Sequence, residues 1–175
     1  FNNGFDSSYT GADGVELFSA AHLRENGATY ANELSTAADL STTSLEQALI
    51  DFRNQRDGGG KRLSVKPETL LVPPDLQFAA ARILDSDHSP EDDTNAVQPV
   101  KGLGLTLQVW DYLSNSDDWF LLASKDNHKL NLYERSAFST SDIYDFDTGD
   151  IKFKGLFRQS SGWADPRGLF GSPGA

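Results

Sequence analysis

The feature that most constrains the fold is an abrupt strand-to-helix joint in residues 66–84, KPETLLVPPDLQFAAARIL. The run over 69–72 has the continuity of a strand that is buried on both faces. Pro73 and Pro74 end this strand because proline cannot donate a ladder hydrogen bond, and Pro74 suits the first turn of a helix. Apolar residues at helical spacing follow, namely Leu76, Ala79, Ala80 and Ile83. The stretch predicts a βα unit in a mixed domain, with the helix ending near Leu84.

A second helix is predicted upstream, over residues 43–57. Thr43 and Glu46 have the spacing of a capping box, in which the hydroxyl accepts from one backbone amide and the carboxylate from another. Gly58 follows where a helix C-cap is expected. The apolar residues between these signals recur on one face and are Leu45, Ala48, Leu49 and Phe52. We expect this face to pack on the core.

The second half of the chain changes to a period of two. Strands are predicted over 105–109, 119–122 and 130–132, and their succession indicates an antiparallel meander. A later hairpin is predicted from 143–146 and 151–158, with its turn at Thr148 and Gly149. In its second strand, apolar residues alternate with basic ones: Ile151, Phe153 and Phe157 with Lys152, Lys154 and Arg158. We expect the two sets to lie on opposite faces.

Composition excludes several classes of protein. A chain of 175 residues that is 38% hydrophobic can bury one real core. No stretch of 18 apolar residues is present, so we expect no membrane span and a soluble protein. The absence of cysteine removes disulfides and thiolate chemistry. The net charge of −11 argues against a general nucleic-acid binder, because neutralising phosphates requires a surplus of Lys and Arg.

Neither the histidines nor the glycine-rich loop has the spacing of a known site. His22, His88 and His128 fall far apart in predicted loops, so we expect each at the surface. The DGGGKR segment over 57–62 follows a helix and lacks the hydroxyl residue of a phosphate-binding loop, so we interpret it as a connection.

The carboxylate groups also fail to form a convincing site. The acidic segment 85–93 has five carboxylates and no Lys or Arg, so we interpret it as a solvated loop, with a cation site as the weaker alternative. The aspartates within 142–150 lack the calcium-loop pattern, so we interpret them as residues of a hairpin turn. Asp117 and Asp118 are adjacent and would point to opposite sides of a strand edge. We therefore expect no catalytic residue, no cofactor, no metal site and no enzyme.

The order of the chain's motifs resembles one known family. Two pieces are the most specific, the D-G-x-x-L-F-S-x-x-H block at 13–22 and the P-x-x-L-L-V-P-P block at 67–74. The full succession is TGADGVELFSAAH (10–22), TSLEQALIDFRNQRDGGGKRL (43–63), KPETLLVPPDLQFAAARIL (66–84), DYLSNSDDWFLLAS (111–124) and GLFRQSSGWADPRGLFGS (155–172). It resembles the major head proteins of Mu-like tailed phages and prophages, which are capsid proteins of the Johnson fold. The resemblance spans nearly the whole chain.

That resemblance implies an α+β architecture with a peripheral domain, a long spine helix and a mixed α/β axial domain. Residues 1–66 would form part of the peripheral domain, with 43–57 as the spine helix. Residues 67–140 would form the axial domain, and 141–175 would return to the peripheral domain. The N-terminal arm and extended loop of the family are mostly missing before Phe1, which suggests a processed chain or a fragment.

The resemblance also implies a function and partners. The chain would be a structural subunit that assembles with copies of itself into pentamers and hexamers. The resulting shell would enclose double-stranded DNA without binding it, with portal, scaffold or decoration proteins as further partners. We expect it in the virion head shell, and in the host cytoplasm during assembly, with no membrane partner.

Exposed aromatics among charged residues are typical of surfaces that meet other subunits. The candidate contacts between subunits are Trp110, Tyr112, Trp119, Arg158, Trp163, Asp165 and Arg167. Two alternatives stay open at this stage. One is a cargo-enclosing shell protein of the same fold, and the other is a β-rich module that binds calcium or carbohydrate through its aspartates and tryptophans.

Overall fold

A computed structural model describes residues 1–88 and 97–175. These residues form two compact units, which we call the core unit (Phe1–Lys129 with Asp165–Ala175) and the hairpin unit (Leu130–Ala164). The architecture is α+β. Its helices are α1 (Thr42–Arg53) and α2 (Gln77–Asp85), and its strands are β1 (His22–Leu23), β2 (Thr29–Tyr30), β3 (Pro67–Val72), β4 (Thr106–Val109), β5 (Trp119–Ala123), β6 (Leu130–Tyr144), β7 (Ile151–Trp163) and β8 (Leu169–Ser172).

The core unit is built on a four-stranded sheet with the order β4-β3-β5-β8. β3 pairs parallel with β4 and antiparallel with β5, and β5 pairs antiparallel with β8. The predicted three-stranded meander is therefore wrong, because β4 and β5 flank β3 while residues 130–132 open a strand of the hairpin unit. Alternation of apolar and polar residues indicates that a segment is a strand. It does not determine which strands pair, because pairing depends on what each face packs against.

Both faces of this sheet are covered at its centre, whereas Thr106 and Gln108 of the edge strand β4 are exposed. On one face, Leu70 and Leu121 join a buried apolar cluster with both helices, whose buried members there are Leu45, Ala48, Leu49, Phe52, Ala80, Ile83 and Leu84. On the other face, the ring of Phe120 packs against Phe5 and Phe18, with centroid distances of 5.8 and 5.0 Å. The prediction that β3 is buried on both faces is confirmed.

The strand-to-helix joint also forms as predicted. β3 ends at Val72, the 3-10 turn Pro74–Leu76 follows, and α2 begins at Gln77. Leu76 packs partly buried against the core. The acidic segment predicted over 85–93 lies outside the described residues from residue 89 onward.

The N-terminus of α1 uses a different cap from the predicted one. Ser41 is the N-cap, and its hydroxyl accepts from the backbone amide of Ser44 at 3.1 Å. In return, the Ser44 hydroxyl accepts from the Ser41 amide at 2.9 Å. The predicted capping box of Thr43 and Glu46 is wrong, because this serine pair caps the helix N-terminus two residues earlier.

The C-terminus of α1 is also earlier than predicted, at Arg53 instead of residue 57. The cause is Gln55, whose buried side chain holds the backbone at the start of β8. Its Nε2 donates to the Leu169 carbonyl and its Oε1 accepts from the Gly168 amide, both at 3.0 Å. These bonds tie the chain after α1 to the sheet, so Gly58 is not the helix cap.

Candidate self-association surface

The hairpin unit is a long antiparallel ribbon formed by β6 and β7. Its turn is closed by backbone bonds from the Asp145 amide to the Asp150 carbonyl (2.8 Å) and from the Gly149 amide to the Asp145 carbonyl (2.9 Å). Gly149 has a φ of +77°, which favours glycine. The predicted hairpin and its turn are confirmed, but the ribbon is longer than predicted, because the strand pattern at residue 130 belongs to it as well.

The two faces of the ribbon differ in chemistry. Strand β7 is regular, so Ile151, Phe153 and Phe157 share one face while Lys152, Lys154 and Arg158 share the other, as predicted. Cross-strand register places Tyr144 and Leu132 on the apolar face. Phe138 lies there too, since a Cβ added at Gly155 would meet its ring at 3.2 Å. The register also places Asp142 and Glu134 on this side, and Ile143 and Leu156 on the basic side. We call the first side the apolar face after its large apolar side chains, which are Leu132, Phe138, Tyr144, Ile151, Phe153 and Phe157.

Every member of the apolar face is exposed in the single chain. Ile151, Tyr144 and Phe157 are 57, 62 and 58% exposed, and Phe153 reaches 81%. Monomeric soluble proteins rarely expose large apolar patches to water, and such patches commonly mark interaction sites. Burying one of these side chains would contribute about 1.5–3 kcal/mol. The patch therefore has the physical character of an interface.

The hairpin unit also differs from the rest of the chain in charge. It holds four basic and five acidic side chains, so its net charge is −1, whereas the net charge of the whole chain is −11. The core unit therefore carries nearly all the negative charge. Association through the hairpin unit meets less electrostatic repulsion than association through the core unit.

The seven predicted contact residues occupy different environments. Trp110 and Tyr112 are exposed after β4, at 41 and 79%, and Arg158 is exposed on the basic face of the ribbon. Trp163 is half-buried at the end of β7. Trp119 has no exposed surface, and its Nε1 donates to the Ala38 carbonyl at 3.0 Å, so its contacts are internal to the core unit.

Asp165 and Arg167 pair with each other within the chain. Arg167 Nε donates to Asp165 Oδ1 at 2.8 Å, and the Arg167 backbone amide donates to the same oxygen at 2.9 Å. This carboxylate raises the pKa of Arg167 above its ordinary value. The pair fixes the turn before β8, and both side chains are only partly exposed.

His22 is a buried residue, so its predicted surface position is wrong. Its Nδ1 lies 2.6 Å from Asp13 Oδ2, and its Nε2 lies 3.1 Å from Asn32 Oδ1. Asn32 in turn donates to the Leu17 carbonyl at 2.8 Å. These bonds join the two ends of the block at 13–22, so the motif carries a structural polar cluster. His22 lies in the short strand β1 and not in the loop that the sequence predicts.

Two further carboxylates, those of Asp145 and Asp118, are engaged in local structure. Asp145 accepts from Lys152 Nζ at 2.6 Å and from the Asp147 amide at 3.2 Å. These bonds agree with the prediction that the aspartates belong to the hairpin turn. Asp118 accepts from Asn115 Nδ2 at 2.7 Å, and burial raises its pKa. Within residues 1–88 and 97–175, no three acidic or histidine side chains are grouped to hold a metal ion. None of the helices described is long and apolar enough to cross a membrane.

Comparison with known proteins identifies the family. A family model described as phage capsid protein matches residues 2–171. The chain belongs to this family of virion structural proteins, and the resemblance predicted from its motifs is confirmed.

Two curated relatives agree with this assignment. The chain is 35% identical over 74 residues to the Mu-like prophage FluMu major head subunit of Haemophilus influenzae, a match that covers 42% of this chain and 24% of the relative. It is 29% identical over 109 residues to the major capsid protein of Escherichia phage Mu, covering 62% of this chain and 35% of the relative. The matched stretches thus account for about a quarter to a third of these relatives.

Proposed function

We propose that the chain is a structural subunit of an icosahedral phage head that assembles with copies of itself into pentamers and hexamers. The proposal rests on the family match over residues 2–171 and on the names of the two relatives. The observation that carries it is the apolar face of the hairpin unit, which the single chain leaves in water. A shell subunit buries such a face against its neighbours.

Shell assembly explains why one exposed face suits this function better than a pocket does. Rings of five and six close through heterologous contacts, in which one surface of a subunit meets a different surface of the next. A stable contact buries roughly 1,200–2,000 Å² in total. A ribbon that presents six large side chains on one face can supply a substantial part of that area.

We further propose that the architecture is the Johnson fold. In this assignment, residues 1–66 belong to the peripheral domain and α1 is its spine helix, shorter than many. Residues 67–140 form the axial domain, and 141–175 return to the peripheral domain. The βα unit of β3 and α2, with β4 and β5 beside β3 in the sheet, supports the axial assignment.

The acidic composition fits enclosure of DNA without adhesion to it. A net charge of −11 repels phosphates, so a shell of such subunits would contain double-stranded DNA as cargo. The proposed location is the head shell of the virion, after assembly in the host cytoplasm. Portal, scaffold or decoration proteins would be the additional partners, and the subunit would perform no catalysis.

Negative-stain microscopy combined with sedimentation velocity tests this function. The purified protein is concentrated stepwise and imaged at each step. We expect rings of five and six subunits or closed shells, with a sedimentation coefficient that rises with concentration. A protein that stays monomeric throughout would contradict the proposal.

A further inference from the structure

A basic cavity lies beside the end of α1 on the core unit. It has a volume of about 250 Å³ and is lined by Arg53, Arg62, Leu63, Ser64, Val65 and Lys66. Residues 53–66 contain five of the chain's 15 basic residues, although the chain as a whole is acidic. A backbone bridge between Arg56 and Arg62 draws the two sides of this segment together.

The cations of the cavity are available to a ligand. Arg53, Arg62 and Lys66 are exposed, and no hydrogen bond or ion pair within the described residues engages their side chains. The nearest acidic residue on α1, Asp51, is bonded to Gln47 at 3.0 Å. Leu63 and Val65 are half-buried and add apolar surface between these charges.

The turn of the hairpin unit has the opposite character. We call residues 145–150, DFDTGD, the acidic tip. Phe146 is 91% exposed, the highest value among the large hydrophobic side chains described. Asp147 and Asp150 are exposed as well, and no hydrogen bond or ion pair within the described residues engages their carboxylates. Asp145 is bonded to Lys152 and is not free.

We propose that the acidic tip of one copy binds the basic cavity of a second copy, an inference that rests on the proposed function. Phe146 contacts the apolar surface of Leu63 and Val65. The free carboxylates meet the free cations, which are Arg53, Arg62 and Lys66. The two surfaces differ, so this contact is heterologous and can be repeated around a ring.

A second copy fits the cavity better than nucleic acid does. Duplex binding depends on neutralising several phosphates with Lys and Arg side chains along the duplex, and it weakens steeply with salt. The cavity offers three free cations around an apolar centre, on a chain whose net charge is −11. Phe146 with the two free carboxylates of the same turn, Asp147 and Asp150, matches that arrangement in charge and in apolar character.

Charge exchange tests the contact. The tip variant carries Asp147→Lys with Asp150→Lys, and the cavity variant carries Arg62→Glu with Lys66→Glu. Each alone should raise the half-assembly concentration, measured by sedimentation velocity, about tenfold, because like charges then face each other. The chain that carries all four substitutions restores opposite charges at every contact and should return to within about twofold of the unmodified protein.

Matched controls separate this contact from general charge effects. Lys125→Glu and Asp126→Lys make the same kinds of change in another turn and should leave assembly unchanged. Circular dichroism checks that each variant is folded. Failure of the four-substitution chain to recover, or normal assembly of both charge variants, overturns the inference while assembly of the unmodified protein still supports the proposed function.

Binding of a labelled 20-base-pair duplex, measured by fluorescence anisotropy, tests the alternative that the cavity binds nucleic acid. Duplex binding that is lost in the cavity variant while assembly is unchanged would make the cavity a nucleic-acid site and overturn the inference. If the unmodified protein does not assemble at any concentration, both the inference and the proposed function are wrong.

Discussion

The core unit and the hairpin unit use similar apolar residues in opposite ways. In the core unit, Trp119, Phe120 and Leu121 are fully buried on the two faces of the sheet. In the hairpin unit, Phe153 and Phe157 lie on one face of an alternating strand and remain exposed. The comparison teaches that large apolar residues on strands can build a core or an interface. A continuous run such as β5 is covered on both faces within the chain, whereas the alternating strand β7 leaves its apolar face for another layer to cover.

The difference has an energetic consequence for each unit. Burial of apolar surface contributes most of the favourable free energy that stabilises the core unit. A two-stranded ribbon by itself is marginally stable in water. Covering the apolar face by another copy would stabilise the hairpin unit while it builds the shell. Substitutions in the two units should therefore affect different measurements.

The largest expected effect is on the core unit. Trp119→Ala removes a fully buried ring and the hydrogen bond to the Ala38 carbonyl, and should lower the free energy of unfolding by about 3–5 kcal/mol. Urea denaturation measures this loss. Trp110→Ala is the matched control, because its ring is 41% exposed, and should cost less than half as much. Equal losses of unfolding free energy in the two variants would contradict the account, because they would mean that burial of Trp119 adds no stability beyond that of exposed Trp110.

The second effect is on assembly. Phe153→Ser with Phe157→Ser should raise the half-assembly concentration at least about tenfold, which corresponds to ~1.4 kcal/mol, because the apolar face can no longer bury its rings. The free energy of unfolding should change by less than about 0.5 kcal/mol, as for other exposed positions. Lys152→Ser with Lys154→Ser alters the opposite face and should have a smaller effect. A larger effect from the lysine pair would reverse the assignment of faces.

The third effect concerns the start of α1. Ser41→Ala removes the acceptor for the Ser44 amide and should cost about 1 kcal/mol of stability, measured by thermal and urea unfolding. Assembly of the folded protein should be unchanged. Thr43→Ala, at the position that the sequence pattern favours as the cap, should cost much less. If Thr43→Ala proved the costlier substitution, the helix would begin as the sequence pattern predicts.

The smallest effect is a pH dependence within the core unit. Burial raises the pKa of Asp118 above its ordinary value of 3.8, and the hydrogen bond from Asn115 offsets part of that rise. The folded state therefore holds this proton more tightly than the unfolded state does. The associated stability is fully present below pH 3.8 and is lost as the pH rises through the folded pKa.

Asp118→Asn tests that sign. The variant should gain stability relative to the unmodified protein as the pH rises above about 4, and the gain should level off once Asp118 is ionised. Urea denaturation across the mildly acidic to neutral range measures the difference, with exposed Asp111→Asn as the control. A difference that shrinks with rising pH would mean that the carboxylate is stabilised by its surroundings.

Local features of the sequence predicted local structure well. The double proline determined the end of β3 and the start of the helix that follows, because proline restricts its own backbone wherever it stands. The alternation over residues 151–158 predicted which side chains share a face. The chain's family was also predictable, because it depends on the order of motifs and not on how they pack.

Long-range contacts were not predictable from the pattern. Gln55 ends α1 early by bonding to residues more than 100 positions away, and nothing in its neighbourhood indicates that. His22 is buried in a polar cluster, with Nδ1 beside the Asp13 carboxylate and Nε2 beside the Asn32 side-chain oxygen. A histidine with an acidic residue nine positions earlier gives no periodic signal, so only the folded arrangement reveals the cluster.

The apolar face of the hairpin unit was only half predictable. Its alternation is visible in the sequence, but alternation equally predicts a strand that packs on its own core. The exposure of Phe138, Phe153 and Phe157 follows from the absence of a covering layer in the described part of the chain. Such a layer can come from another copy, which is the central claim of the proposed function.

Hydroxyl-radical footprinting of assembled and unassembled fractions of the same preparation tests that claim most directly. We predict that Phe138, Phe153 and Phe157 are oxidised several times more slowly in the assembled fraction, because other copies cover them. Tyr133, which is 59% exposed on the opposite face, serves as the internal comparison. Equal oxidation rates for the three phenylalanines in both fractions would contradict the account.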